Sequence, residues 1–184
     1  MTLLARFKFL TAGVLALLAA EGCTTGAQAG NYAYDSKHAD ITFTYYVGPT
    51  SHTGHFSDLN GSLRLDDAAP ERGASEAIIK TRTLTASMFE GELKSDTWFN
   101  IEKFPELRFK SRSFKPAGAN KYEVAGDLTL HGVTRPVIML TVKKGAHVSG
   151  HMKIKRSDFD MTAMSFLVSE DIDIQIEADL IEKS

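Results

Sequence analysis

Six histidines, His38, His52, His55, His131, His147 and His151, are the side chains of this 184-residue chain best suited to acid–base work or metal ligation. His147 and His151 have the i, i+4 spacing of two ligands on one turn of helix. In a strand, four residues span about 13 Å, too far for two ligands of one ion. Val148, Gly150 and Met152 around them argue for the strand, so no metal is expected there. His52 and His55 lie in "PTSHTGHF", which reads as a loop; two solvated histidines are preferred there over a metal pair. His131, in "LTLHGVTRPV", stands at a strand end before Gly132 and is read as structural, capping the turn or leaning on a rim.

Other chemistry is absent by residue type. The chain has no G-x-S-x-G elbow, no H-E-x-x-H, no C-x-x-C and no phosphate-cradling glycine loop. The carboxylates alternate with apolar residues and so face solvent by the pleat. Lys153, Lys155 and Arg156 form one basic cluster, outward except for Arg156, without interleaved aromatics on which bases would stack. No catalytic residue, metal or cofactor is expected, and the charge balance does not suggest nucleic-acid binding.

The elements that must position anything else have a period of two. "ITFTYYV" places Ile41, Phe43, Tyr45 and Val47 on one face, and "SLRLD" does so with Leu63 and Leu65. "AIIKTRT" is a β-branched run. "ELRFKSRSF" sets Leu107 and Phe109 against Arg108 and Lys110, and "YEVAGDLTL" aligns Tyr122, Val124, Leu128 and Leu130. "RPVIMLTV" is read as a strand starting at Pro136, which tolerates a first position. "HVSGHMKIK" aligns Val148, Met152 and Ile154, and "DIDIQIEADL" aligns Ile172, Ile174 and Ile176. About eight such half-buried segments, punctuated by Gly, Pro and Asn, predict one antiparallel all-β domain. Closure into a barrel or packing as a sandwich would hide the sheet edges, and periodicity alone leaves both open. Asn60-Gly61 is either a hairpin turn or a glycine kink in one long strand from Gly54 to Asp66. A short helix is expected near residues 89–96.

Residues 1–29 read as an export signal: Arg6 and Lys8 precede an apolar run from Phe9 to Ala20, too short to span a bilayer. Cleavage after Ala27-Gln28-Ala29 is preferred and leaves a soluble domain of residues 30–184. The other reading takes Gly22-Cys23 as a lipoprotein acceptor with Cys23 acylated, although Ala20 and Glu21 match that pattern poorly. Cys23 is the only cysteine, so no intramolecular disulfide can form and the fold must rest on its core. Removing residues 1–29 takes away Arg6, Lys8 and Glu21 and leaves 19 basic against 22 acidic residues.

The single tryptophan lies in "LKSDTWFNIEKFPELRFKS", beside a turn and outside any alternation. The segment holding Leu93, Trp98 and Phe99 would plug or line one end of a barrel, with the Trp98 N–H free for a polar partner at the rim. A plug over an ordinary packed barrel fits the same residues.

The order of motifs resembles the YceI-like family of bacterial periplasmic proteins, also called polyisoprenoid-binding proteins. It is carried by "YAYDSKHADITFTYYV", "GHFSDLNGSLRLD", the tryptophan segment above, "VAGDLTLHGVTRPVIMLTV" and "IKRSDFDM", over roughly Asn31 to Ile181. The resemblance implies a lipocalin-like antiparallel barrel enclosing a long apolar molecule, such as an isoprenoid quinone, a polyisoprenoid or a fatty acyl chain. It implies a periplasmic binding or transport role rather than an enzyme. The family often has glycine where this chain has Asp160, which puts local contacts there in question.

The reading is therefore an eight-stranded antiparallel lipocalin-like barrel that binds a hydrophobic small molecule. Its expected lining comprises Phe43, Tyr45, Phe56, Leu63 and Ile79 from the first strands, with Leu93, Trp98 and Phe99 at the plug. Phe109, Leu128, Leu130, Val137, Met139 and Met152 come from the middle, and Phe159, Met164, Phe166, Ile174 and Ile176 from the end. The register of "VIML" is open, so Met139 could exchange with Ile138 and Leu140. A membrane quinone or cytochrome partner is compatible with this role, and the oligomeric state is left open. Two rivals stand beside it: an enzyme of isoprenoid or quinone metabolism using His131 and Arg135, and a ligand-free envelope stress protein.

Overall fold

Each stave of the fold grows from a run in which apolar side chains recur at every second residue. The computed structural model describes residues 29–183, so the export signal expected over residues 1–29, with Cys23, lies outside the described residues except for Ala29. The strands are β1 (Gly30–Val47), β2 (Thr50–Phe56), β3 (Leu59–Leu65), β4 (Ala74–Lys80), β5 (Thr85–Ala86), β6 (Glu106–Gly118), β7 (Lys121–Leu130), β8 (Val133–Lys144), β9 (His147–Lys155) and β10 (Asp171–Glu182). The one α-helix among the described residues, α1, spans Glu90–Lys94, inside the expected stretch.

Antiparallel pairing runs β10-β9-β8-β7-β6-β4-β3-β1, and β1 pairs back onto β10, so eight strands close a barrel. β2 pairs with the second half of β1 and β5 extends it, so β2 and β3 together serve β1 as one interrupted partner. Asn60-Gly61 is therefore no hairpin turn. Gly61 lies inside β3 at φ +139°, where a Cβ would meet the Glu76 carbonyl oxygen at 2.0 Å. Only glycine fits this kink.

The β7–β8 turn is the two-residue loop His131-Gly132, with φ of 51° and 74°, the doubly positive pattern whose twist suits a hairpin. Pro136 is the fourth residue of β8 rather than its first. β8 pairs with β9 only over Leu140–Lys144, and its first half is bonded on the β7 side alone. In a two-residue hairpin closed by Leu130 and Val133, Pro136 falls in a pair that exchanges no N–H···O bonds. Its missing N–H therefore faces the side that β9 has left.

The turns after α1 form the plug. Phe99 N donates to Leu93 O at 3.0 Å and Trp98 N to Ser95 O at 3.2 Å, drawing Leu93, Trp98 and Phe99 together in burial. Thr81 N donates to Pro105 O at 3.0 Å, and Thr81 Oγ1 to Phe104 O at 2.9 Å, which ties the plug to the wall before β6 starts.

Candidate functional site

The barrel interior holds two chambers, each with a cavity volume of about 60 Å³ and an almost wholly apolar lining. The first lies under the plug, against Phe43, Phe56, Leu93, Trp98 and Phe99. The second lies at the other end, against Tyr34, Leu65, Phe114, Tyr122 and Val148. Ile79, Leu128, Met152 and Ile176 border both and form the waist at which the two chambers meet. Phe43, Phe56 and Phe99 cluster at the plug end, with ring centroids 5.4–5.5 Å apart.

Most residues that the alternation turned inward do line these chambers. Phe43, Tyr45, Phe56, Ile79, Leu93, Trp98, Phe99, Leu128, Leu130, Met152, Ile174 and Ile176 border the first, and Leu63, Phe109 and Met139 the second. The open register of β8 resolves with Met139 inward, while Ile138 and Leu140 are 58% and 55% exposed. Four expected lining residues sit elsewhere. Phe166 is 90% exposed, and Met164, at φ +54°, packs partly against the core without bordering a chamber. Both belong to the irregular segment between β9 and β10, where no pleat dictates the facing. Val137 and the buried Phe159 line an outer groove where β8 and β9 part; Ile154 borders both that groove and the first chamber. Phe159 thus fills the seam that the missing strand pairing leaves. Asp160 sits at φ +59°, a conformation that glycine adopts freely and Asp tolerates.

Polar groups reach the chambers at few points. Arg156, 1% exposed, borders the first. Its Nε donates to Ser169 O at 2.9 Å, Nη1 to Met161 O and Ala163 O at 2.5 and 2.9 Å, and Nη2 to Val168 O at 3.2 Å. Burial pulls its pKa down, while the charge of Glu170 opposes the shift. Around the second chamber, the Tyr34 hydroxyl and Ser75 Oγ lie 2.7 Å apart, and Tyr122 donates to Asp67 at 2.9 Å. Burial, then the hydrogen bond and charge of Asp67, push the Tyr122 hydroxyl up to about 12. Among the polar lining residues, Thr141, Tyr34, Ser75 and Lys143 were not expected from the sequence, and Arg156 was read as inward without being given a place in the lining. Arg156 shares the inward parity of Met152 and Ile154, and that was the available signal.

The histidines do not converge. His52 and His55 lie in β2, not in a loop, and an odd separation in a strand puts them on opposite faces. The His52 ring lies tilted against the Tyr45 ring at 5.7 Å, while His55 Nδ1 lies 3.0 Å from Thr42 Oγ1. His147 contacts Asp179 and Glu177, both at 2.8 Å, and His151 lies 3.6 Å from Asp173. Among the described residues, no group of three or more His, Cys, Asp or Glu side chains is placed to hold a metal. His131 Nδ1 lies 3.1 Å from Phe159 O, and its ring meets Phe104 edge-on at 5.1 Å. Arg135 borders the outer groove rather than a chamber.

A model of the YceI-like domain matches residues 32–180, the barrel from β1 to β10 but for its end residues. The chain belongs to the YceI-like family. Its relatives include a UPF0312 protein of Photorhabdus laumondii, 35% identical over 91% of this chain and 92% of the relative. Another, from Pseudomonas fluorescens, is 31% identical over 90% and 94%. The same YceI-like fold occurs in Burkholderia cenocepacia BcnA, with a TM-score of 0.73 and 22% identity over 80% of this chain and 99% of that one. A polyisoprenoid binding domain from Saccharophagus degradans shares it too, with a TM-score of 0.61 and 13% identity over 83% and 98%.

Proposed function

We propose that this YceI-like barrel is an exported binding protein that encloses one long apolar chain, such as a polyisoprenoid, an isoprenoid quinone or a fatty acyl molecule. The observation that carries this reading is the almost wholly apolar interior: two chambers meet at the four residues they share, and these must move apart for a long chain to pass. Burying a methylene contributes on the order of 0.8 kcal/mol before the cost of ordering the chain, so affinity needs no catalytic group. Met139, Met152 and Met161 on the lining have flexible, polarisable side chains that re-pack around a guest. The Saccharophagus domain with this fold, described as polyisoprenoid binding, supports the same class of cargo.

Organic extraction of the purified protein, followed by mass spectrometry, tests the proposal: one long-chain molecule per barrel is expected. A repeatedly empty extract that stays empty after incubation with such chains would favour a ligand-free envelope protein. The enzymatic alternative, with His131 and Arg135 at work, requires turnover that His131→Ala abolishes while binding survives. Export to the periplasm and delivery to a membrane quinone or cytochrome partner complete the reading. Fractionation tests the export, and fatty-acid labelling at Cys23 would replace the soluble form by an anchored one.

A further inference from the structure

Thr141 Oγ1 is the one buried side-chain polar atom among the described residues that finds no hydrogen-bond partner. Thr141 is 7% exposed, on the inward face of β8, at the wall of the second chamber. Its cross-strand neighbours are Tyr122 on β7 and Gly150 on β9. Tyr122 is already engaged with Asp67, Tyr34 is engaged with Ser75, and glycine offers no side chain. An orphaned buried hydroxyl costs free energy that valine, of the same shape, would avoid. A water would need two to four polar partners, and the other hydroxyls of the chamber lining, those of Tyr34, Ser75 and Tyr122, already have theirs.

Two residues further along the same face, roughly 7 Å away, stands Lys143, which also borders the second chamber. Its ammonium lies over the Tyr32 ring at 5.1 Å and, among the described residues, pairs with no carboxylate. An ammonium donates only, and the Thr141 hydroxyl is free to donate. Thr141 thus offers one unsatisfied donor in the wall of the second chamber, and Lys143, with its ammonium over Tyr32, is the nearest cation on the same strand face.

We propose that the second chamber is a head-group subsite. It takes a hydrogen-bond-accepting oxygen, carbonyl or carboxylate, at the end of a long apolar chain whose tail passes the waist into the first chamber. The proposal rests on the binding reading above and adds a polarity to it: the head lies at Thr141 and the tail under Trp98.

The test titrates the protein with palmitamide, palmitate and hexadecane, following Trp98 fluorescence and the mass of the intact complex. Thr141→Val is expected to melt at or above the wild-type temperature, since it removes an unsatisfied group. It should weaken palmitamide or palmitate about tenfold, the worth of one hydrogen bond, and leave hexadecane unchanged. Lys143→Met separates the two sources. A loss of palmitate affinity in Lys143→Met assigns a carboxylate head, and a palmitate affinity that Lys143→Met leaves unchanged assigns a neutral carbonyl. Equal affinities of wild type and Thr141→Val for all three chains overturn the subsite, as does an equal loss for hexadecane. Wild type that binds none of the three overturns the carrier reading itself, a distinct result.

Discussion

The guanidinium carbon of Arg156 lies 5.1 Å from the centroid of the Trp98 ring, and both side chains are buried beside the first chamber. The cation is held by four backbone carbonyls, those of Met161, Ala163, Val168 and Ser169, and by no carboxylate. It therefore staples the irregular segment before β10 to the plug. Arg156→Ala would strand those carbonyls and empty the space over Trp98. We expect a loss of about 3–5 kcal/mol in urea unfolding, together with a red-shifted Trp98 emission. Arg156→Lys keeps the charge but not the planar fork and should recover less than half of it. An Arg156→Ala protein as stable as wild type would refute the staple.

Gly54 and Phe43 face each other across β1 and β2, and a Cβ on Gly54 would lie 2.1 Å from the Phe43 ring. The ring occupies the place of the missing side chain. Gly54→Ala must push Phe43 toward the first chamber, at a cost of about 1–3 kcal/mol. The expected readout is reduced loading of long chains with a lower melting temperature, while Gly48→Ala, strained at φ +56° but in open space at the β1–β2 turn, lowers the melting temperature and leaves loading unchanged.

That glycine also explains what the sequence could not tell. β6, β7, β9 and β10 were legible because apolar residues mark every second position. β2 reads as a loop because its inward positions include Gly54, filled from the neighbouring strand, and His52, whose ring lies tilted against Tyr45. Gly126 and Gly150 repeat the device under Phe109 and Met139. Four consecutive apolar residues from Val137 to Leu140 carry no parity of their own, and pairing with β7 sets it. Phe159, Met164 and Phe166 lie outside the strands, where hydrophobicity says that a residue prefers burial but not which surface buries it. Thr141 was hidden by the opposite effect: a polar side chain on an inward position reads as an outward one.

His147 bridges β9 to β10 through Asp179 and Glu177, and its pKa is raised by the Asp179 hydrogen bond first and the Glu177 one next. A folded-state pKa above the unfolded one means that the contribution is fully present below the unfolded value. It is lost as pH rises through the folded value. Because the side chain is about half exposed, screening holds the effect to no more than about 1 kcal/mol. Wild type should therefore lose a little stability between pH 6 and 8, roughly the window above the ordinary histidine pKa, whereas His147→Gln should lose less. Proton NMR of His147 showing a pKa at or below the ordinary value would contradict this account.

Leu128 borders both chambers, pairing with Phe109 on β6 and Arg135 on β8, so a charge placed there tests the hollow interior directly. In a filled barrel, Leu128→Asp would bury an unpaired carboxylate against packed side chains. That would cost several kcal/mol, comparable to the whole stability of such a domain. Beside two cavities of about 60 Å³ the carboxylate has another course. It recruits water into the emptied space or takes up a proton as its pKa rises. We therefore expect Leu128→Asp to fold with native-like β circular dichroism, to be less stable by about 2–4 kcal/mol, and to retain no long-chain molecule on extraction. A raised folded-state pKa makes the protonated variant the more stable one. Its deficit should shrink as pH falls toward the ordinary aspartate value of about 4. Trp98 emission should change when a long chain is added to wild type and stay flat in the variant. A Leu128→Asp protein that never folds would mean that the waist is packed solid. One that folds and still carries its chain would place the ligand outside the barrel and end the enclosed-carrier mechanism.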